Sequence, residues 1–151
     1  MLLPSRKRAK MYKVSETARK FKIDSRPVIR QPEDTVPHFL PNVPEGREAF
    51  QVAFLDTRHR LIVAPWIVSI GTLNASLVHP REVFREAIKH GAAAIIVSHN
   101  HPSGCPRPSA DDIALTERLD KCGELLGISL LDHIITGEDS HLSLREEGTG
   151  F

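Results

Sequence analysis

The most constraining feature of the chain is a pair of histidines at the end of an apolar run. Ala92-Ala93-Ala94-Ile95-Ile96-Val97 leads directly into Ser98-His99-Asn100-His101. A short apolar run without helical period, bounded by loop residues, reads as a buried strand. Strand side chains alternate between faces, so His99 and His101 share one face and Asn100 takes the other. Pro102, Gly104, Pro106 and Pro108 then exclude a regular element, and the chain must turn. A helical pattern begins at Ser109, with Asp112 in its first turn. The loop can fold back and carry Asp112 to the two imidazoles. Two imidazole nitrogens and a carboxylate oxygen suit Zn²⁺ and leave the fourth tetrahedral position for water. Ser109-x-x-Asp112 also reads as a capping box, with Ser109 as N-cap. A loop rich in proline loses little chain entropy on being held rigid, which suits a preorganised site.

The rest of the chain supplies a domain around this strand. Residues 48–56 alternate around Phe50, Val52 and Phe54 and predict a strand. Thr57–Arg60 predicts a turn, and Leu61–Val68 a returning antiparallel strand, with Pro65 at an edge or bulge. Pro80 suits the first position of a helix whose apolar face is Val83, Phe84, Ala87 and Ile88, ended by Gly91. The helix from Ser109 shows Leu115, Leu119, Cys122 and Leu126 on one side and stops at Gly127. Ile128–Ile135 predicts another buried strand, and His141–Leu144 one that closes the sheet. At 151 residues the length fits one domain. The expectation is a single α/β domain over residues 31–151, with a mixed, mainly antiparallel sheet packed against two principal helices. Five prolines between Pro27 and Pro44 predict an extended connection with one helical turn at Pro32-Glu33-Asp34.

The net charge of +1 names no partner, but its distribution is uneven. Residues 1–30 carry ten Lys or Arg against Glu16 and Asp24. They predict a mobile basic arm, with Met11–Val14 as a candidate short strand and Val14, Ala18 and Phe21 as a weak helical face. Such an arm implies at most a weak, salt-sensitive nucleic-acid contact, since nothing in it reads bases. No apolar run reaches the length of a membrane span, and the first residues lack the apolar core of a secretory signal. Two cysteines make no disulfide framework, so the expected compartment is the cytoplasm. Cys105 reads as an inert loop residue, set against a soft ligand or redox-sensitive thiol, and Cys122 as core. His133 reads as a satisfied structural histidine, set against a substitute third ligand. His38, His59, His79, His90 and His141 read as turn or surface residues.

His99-Asn100-His101-Pro102 followed by Ser109-x-x-Asp112 resembles the signature of the JAMM (MPN+) metalloproteases. The longer string through Ser103-Gly104 and Pro108-Ser109 is similar to the RadC branch of that superfamily. Gly71-Thr72-Leu73-Asn74, His79-Pro80-Arg81-Glu82-Val83 and Leu131-Asp132-His133-Ile134-Ile135 agree, so the resemblance covers roughly residues 28–148. It implies a JAB/MPN-like fold and a Zn²⁺ ion held by His99, His101 and Asp112. It implies a catalytic glutamate at the start of a strand, which Glu48 matches, with Glu45 as fallback. It gives Ser109 a part in holding the oxyanion, although an N-cap serine turns to its own helix, and the sequence leaves both roles open. The implied function is zinc-dependent hydrolysis of an amide bond in a protein or peptide, either peptide or isopeptide. The alternative is a DNA-associated repair or accessory protein whose metal site is structural or vestigial. A third class is a non-catalytic module of the MPN type, against which the retained ligand set argues. Many RadC-like chains carry a helix-hairpin-helix segment, and its glycine pattern is not seen here.

Overall fold

The computed structural model describes residues 25–71 and 78–151. The candidate strand at Met11–Val14, the weak helical face around Val14, and Thr72–Asn74 of the glycine motif lie outside these residues. Five strands form one sheet in the order β2-β1-β3-β4-β5: β1 (Glu48–Leu55), β2 (Trp66–Gly71), β3 (Ala94–Asn100), β4 (Ser129–Thr136) and β5 (His141–Ser143). Only β3 and β4 run parallel; the other neighbours are antiparallel. The expected mixed, mainly antiparallel α/β fold is therefore present. The parallel pair needs a crossover, and the helix between them provides it.

Alternation along β1 builds two apolar layers. Phe50, Val52 and Phe54 pack with Ile95 and Val97 of β3 against the two principal helices, α2 (Pro80–Lys89) and α3 (Ala110–Leu126). Val83, Phe84 and Ala87 of α2 and Leu115 and Leu119 of α3 complete that layer. On the opposite face Ala53, Leu55, Ala94 and Ile96 pack with Ile29, Phe39, Leu61 and Ile134. Both faces of β1 and β3 are thus covered, as their near-continuous apolar sequences require. The helix stripes are narrower than the sequence pattern, since Ile88 and Leu126 face solvent.

Two local expectations are corrected. The segment before β1 is not mainly extended: it forms 3₁₀ turns at Pro32–Thr35 and Leu40–Asn42 around the short α1 (Val36–Phe39). Pro32, Pro37 and Pro41 occupy first-turn positions, where a missing N–H costs nothing. The second strand begins at Trp66, not Leu61. Leu61 makes only an isolated bridge to Leu55, and pairing resumes after Pro65, which has no N–H to give. Residues 26–29 also join the domain, through Ile29 N to the His59 carbonyl (2.8 Å) and an Arg26–Asp56 ion pair (2.8 Å). Among the described residues no helix is long and apolar enough to cross a membrane.

Candidate metal centre

His99 is the last residue but one of β3 and His101 follows just beyond the strand, both on the face turned to α3. His101 N donates to the Thr136 carbonyl (2.8 Å), which fastens the loop to the end of β4. Gly104 takes φ +83 and offers its carbonyl to Glu138 N at 3.3 Å. The two loops touch backbone to backbone here: a Cβ on Gly137 would stand 2.2 Å from the Gly104 oxygen. The loop then delivers Ser109 as N-cap of α3. Ser109 Oγ accepts from Asp112 N (3.1 Å), and Asp112 Oδ2 accepts from Ser109 N (2.8 Å). This reciprocal pair turns the Asp112 carboxylate back toward β3.

Three donor groups converge. His99 Nε2 lies 2.9 Å from His101 Nε2 and 3.2 Å from Asp112 Oδ1, and His101 Nε2 lies 3.5 Å from Asp112 Oδ2. Potential ligand atoms of all three residues fall within 4.8 Å of one another. His101 Nδ1 donates to the Cys105 carbonyl (2.8 Å), so its Nε2 is the atom left for the cluster. The exposed Cys105 serves the site through its backbone while its thiol is free of any disulfide. Two nitrogens and a carboxylate that already point at one locus fit a divalent metal with a tetrahedral or five-coordinate preference.

The electrostatics agree with this. Burial opposes ionisation of Asp112, but the His101 and His99 rings and the Ser109 N–H outweigh it and hold the carboxyl far below the usual carboxylate range. The Asp112 carboxylate raises the pKa of His101 against the opposing effect of burial, helped by the Cys105 carbonyl and the charge of Glu48. Glu48 opens β1 two residues before Phe50, and Phe50 pairs with His99. On that shared face Glu48 stands level with His101. A groove of about 550 Å³ runs beside His101, lined by Val43, Pro44, Glu45, Asn100 and Pro102. Glu45 thus lies on the groove wall, one turn of chain before Glu48.

The structure supplies partners for residues whose partners the sequence left unnamed. Asn100 points away from the cluster, where its Oδ1 accepts from Ala49 N and its Nδ2 donates to the Arg47 carbonyl, both at 2.8 Å. These bonds grip the chain on either side of Glu48. The available signal was a buried asparagine between two histidines, which must find partners. His133 is fully buried, and burial pushes its pKa well down. It is no ligand of the cluster, because its Nε2 faces His99 Nδ1 at 2.8 Å and its Nδ1 faces Thr116. A register shift between Ile95 and Ile96 against β4 inserts one residue, Leu131. Both Leu130 and His133 consequently face the helices, and Asp132 turns the other way to bond Ser143 and Arg145.

The sequence matches the family described as RadC-like JAB domain over residues 29–149. It is 49% identical over 126 residues to a UPF0758 protein of Geobacillus sp. (strain WCH70), covering 83% of this chain and 55% of that protein. A UPF0758 protein of Methanococcoides burtonii is 45% identical over 137 residues, covering 88% of this chain and 59% of its own length. One from Clostridium botulinum is 53% identical over 103 residues, covering 68% and 45%. The chain thus spans about half the length of the relatives it matches, and their names state no activity.

Proposed function

The chain belongs to the RadC-like JAB domain family, and from that premise we propose that it is a zinc-dependent hydrolase of amide bonds in a protein or peptide substrate. The observation that carries this reading is the convergence of His99 Nε2, His101 Nε2 and the Asp112 carboxylate, with the charge of Glu48 acting on His101. His99, His101 and Asp112 hold the metal. When bound, Zn²⁺ supplies Lewis acidity that lowers the pKa of water and polarises an amide carbonyl. Glu48 takes the proton of the attacking water and returns it to the leaving nitrogen. Ser109 steadies the developing oxyanion: its capping bond uses an oxygen lone pair, so the hydroxyl proton remains to be donated. The groove beside His101 receives an extended peptide or an isopeptide branch.

Metal analysis and a proteome-wide search for newly cleaved amides test the proposal together. The wild-type chain should hold one Zn²⁺, and His99→Ala, His101→Ala and Asp112→Ala should each abolish stoichiometric binding. Glu48→Gln should keep zinc and lose hydrolysis by orders of magnitude, mainly in kcat, because the proton moves in the transition state. Full zinc occupancy in Asp112→Ala would refute the ligand set, and an active Glu48→Gln would refute the base.

A further inference from the structure

One hydroxyl proton decides the hydrogen count behind the metal centre. Thr116 sits one turn after Asp112 on α3. Its Oγ1 lies 2.7 Å from the Asp112 backbone carbonyl and 2.6 Å from His133 Nδ1. A carbonyl oxygen only accepts, so the single hydroxyl proton goes to Asp112. Thr116 Oγ1 therefore meets His133 as an acceptor, and His133 carries its proton on Nδ1. The Nε2 lone pair of His133 then faces His99 Nδ1 at 2.8 Å, so His99 must donate from Nδ1. His99 Nε2 is left bare, directed at His101 and Asp112.

We propose that Thr116 and His133 are positioning residues that lock His99 in the Nδ1–H tautomer and so present its Nε2 for metal binding. The contacts close a ring: hydrogen bonds join the Asp112 backbone, Thr116, His133 and His99, and the bare His99 Nε2 faces the Asp112 carboxylate at 3.2 Å without one. Its members come from α3, β4 and β3, so the register of α3 sets both the carboxylate and the tautomer of the ring facing it. A carbonyl or carboxylate behind a metal-bound histidine fixes its tautomer in one step. Here an imidazole takes that place, and it can do so only because Thr116 removes its freedom to flip. All three side chains are shielded: His99 is 2% exposed, His133 0% and Thr116 0%. Water cannot substitute for a lost partner without entering the core. The consequence for zinc rests on the metal-centre reading above; the hydrogen count does not.

Two measurements test the ring, both on the full chain. Two-bond ¹H–¹⁵N NMR of the metal-free wild type, above the range where imidazoles protonate, reads the tautomers directly. The expected result is Nδ1–H for both His99 and His133; an Nε2–H signal for either overturns the proposal. Zinc competition titrations then compare Thr116→Ser with Thr116→Ala, which differ only in the hydroxyl. Thr116→Ser should keep wild-type affinity and tautomers. Thr116→Ala should bind zinc about 10–100-fold more weakly and show His99 in mixed tautomers. Equal zinc affinities in two folded variants would overturn the proposal. If Thr116→Ala does not fold, the wild-type spectrum decides alone. A wild type that binds no zinc but shows both Nδ1–H signals would refute the metal centre and leave the ring standing.

Discussion

Asn100→Ala should destabilise the domain through one orphaned donor. Asn100 is buried between His99 and His101, and its amide makes 2.8 Å bonds to Ala49 N and the Arg47 carbonyl. Truncation leaves the two backbone groups in unequal positions. Arg47 is exposed, so water can take over its carbonyl, whereas Ala49 is 0% exposed and its N–H is stranded. An unsatisfied buried donor costs about 1–3 kcal/mol, so the loss should be about 2 kcal/mol. With an unfolding entropy of about 2.1 cal/mol/K per residue, that corresponds to a fall in Tm of about 6 °C for this chain. Urea denaturation and thermal melting measure both quantities. The proposed zinc ligands lie on the other face, so zinc affinity should hold. Glu48, no longer gripped on both sides, should drift, and misplacement by about 1 Å costs on the order of 100-fold in kcat. A loss below about 0.5 kcal/mol, the range of an ordinary surface substitution, would refute the clamp. Loss of zinc binding would show instead that Asn100 shapes the ligands.

Two further outcomes are expected. Burial disfavours ionisation of Asp56, but the Arg60 and Arg58 N–H groups and the charge of Arg26 outweigh it and lower its pKa. Its carboxylate thereby holds the turn in which His59 takes φ 55. A lowered folded-state pKa contributes stability above the ordinary value of about 3.9 and loses it as pH falls toward the folded value. Asp56→Asn should therefore cost about 1 kcal/mol at neutral pH, with the difference from wild type shrinking below pH of about 4 in acid-denaturation curves. For the basic residues 1–25, we propose a weak nucleic-acid contact that fades with salt. Titration of oligonucleotides into the chain lacking those residues should show lower affinity, and undiminished affinity would locate the contact elsewhere.

What the sequence made legible was local and periodic. The two-residue spacing of His99 and His101, the proline-rich turn and the helix start at Ser109 each follow from short-range rules, and together they bring Asp112 to the histidines. Phe50, Val52 and Phe54 marked a strand for the same reason. Asn100 escaped because its partners, Arg47 and Ala49, flank the first residue of a strand some fifty residues away in the chain. Thr116 escaped because a buried threonine on a helix reads as core, although its distance of four residues from Asp112 permits the back-bond it makes. His133 was read as satisfied, but its partner could not be named, since a one-residue bulge at Leu131 decides which way it faces. The second strand was drawn too early because Leu61–Val63 has strand composition, whereas pairing depends on where Pro65 interrupts the ladder.

The crossover between β3 and β4 has an evolutionary consequence. All three zinc ligands proposed here fall within residues 99–112, inside a single strand-loop-helix unit, whereas Glu48 arrives from a strand far upstream. Closing so short a loop costs little chain entropy, so beyond the support of Thr116 and His133 the ligand trio asks little of the rest of the fold. The glutamate depends on β1 being laid down in register and is the easier part to lose. Metal capture and hydrolysis can therefore diverge independently among descendants of one ancestor. A relative that retains only the strand-loop-helix unit would survive as a metal-stabilised scaffold, and zinc content alone would not distinguish it from an enzyme.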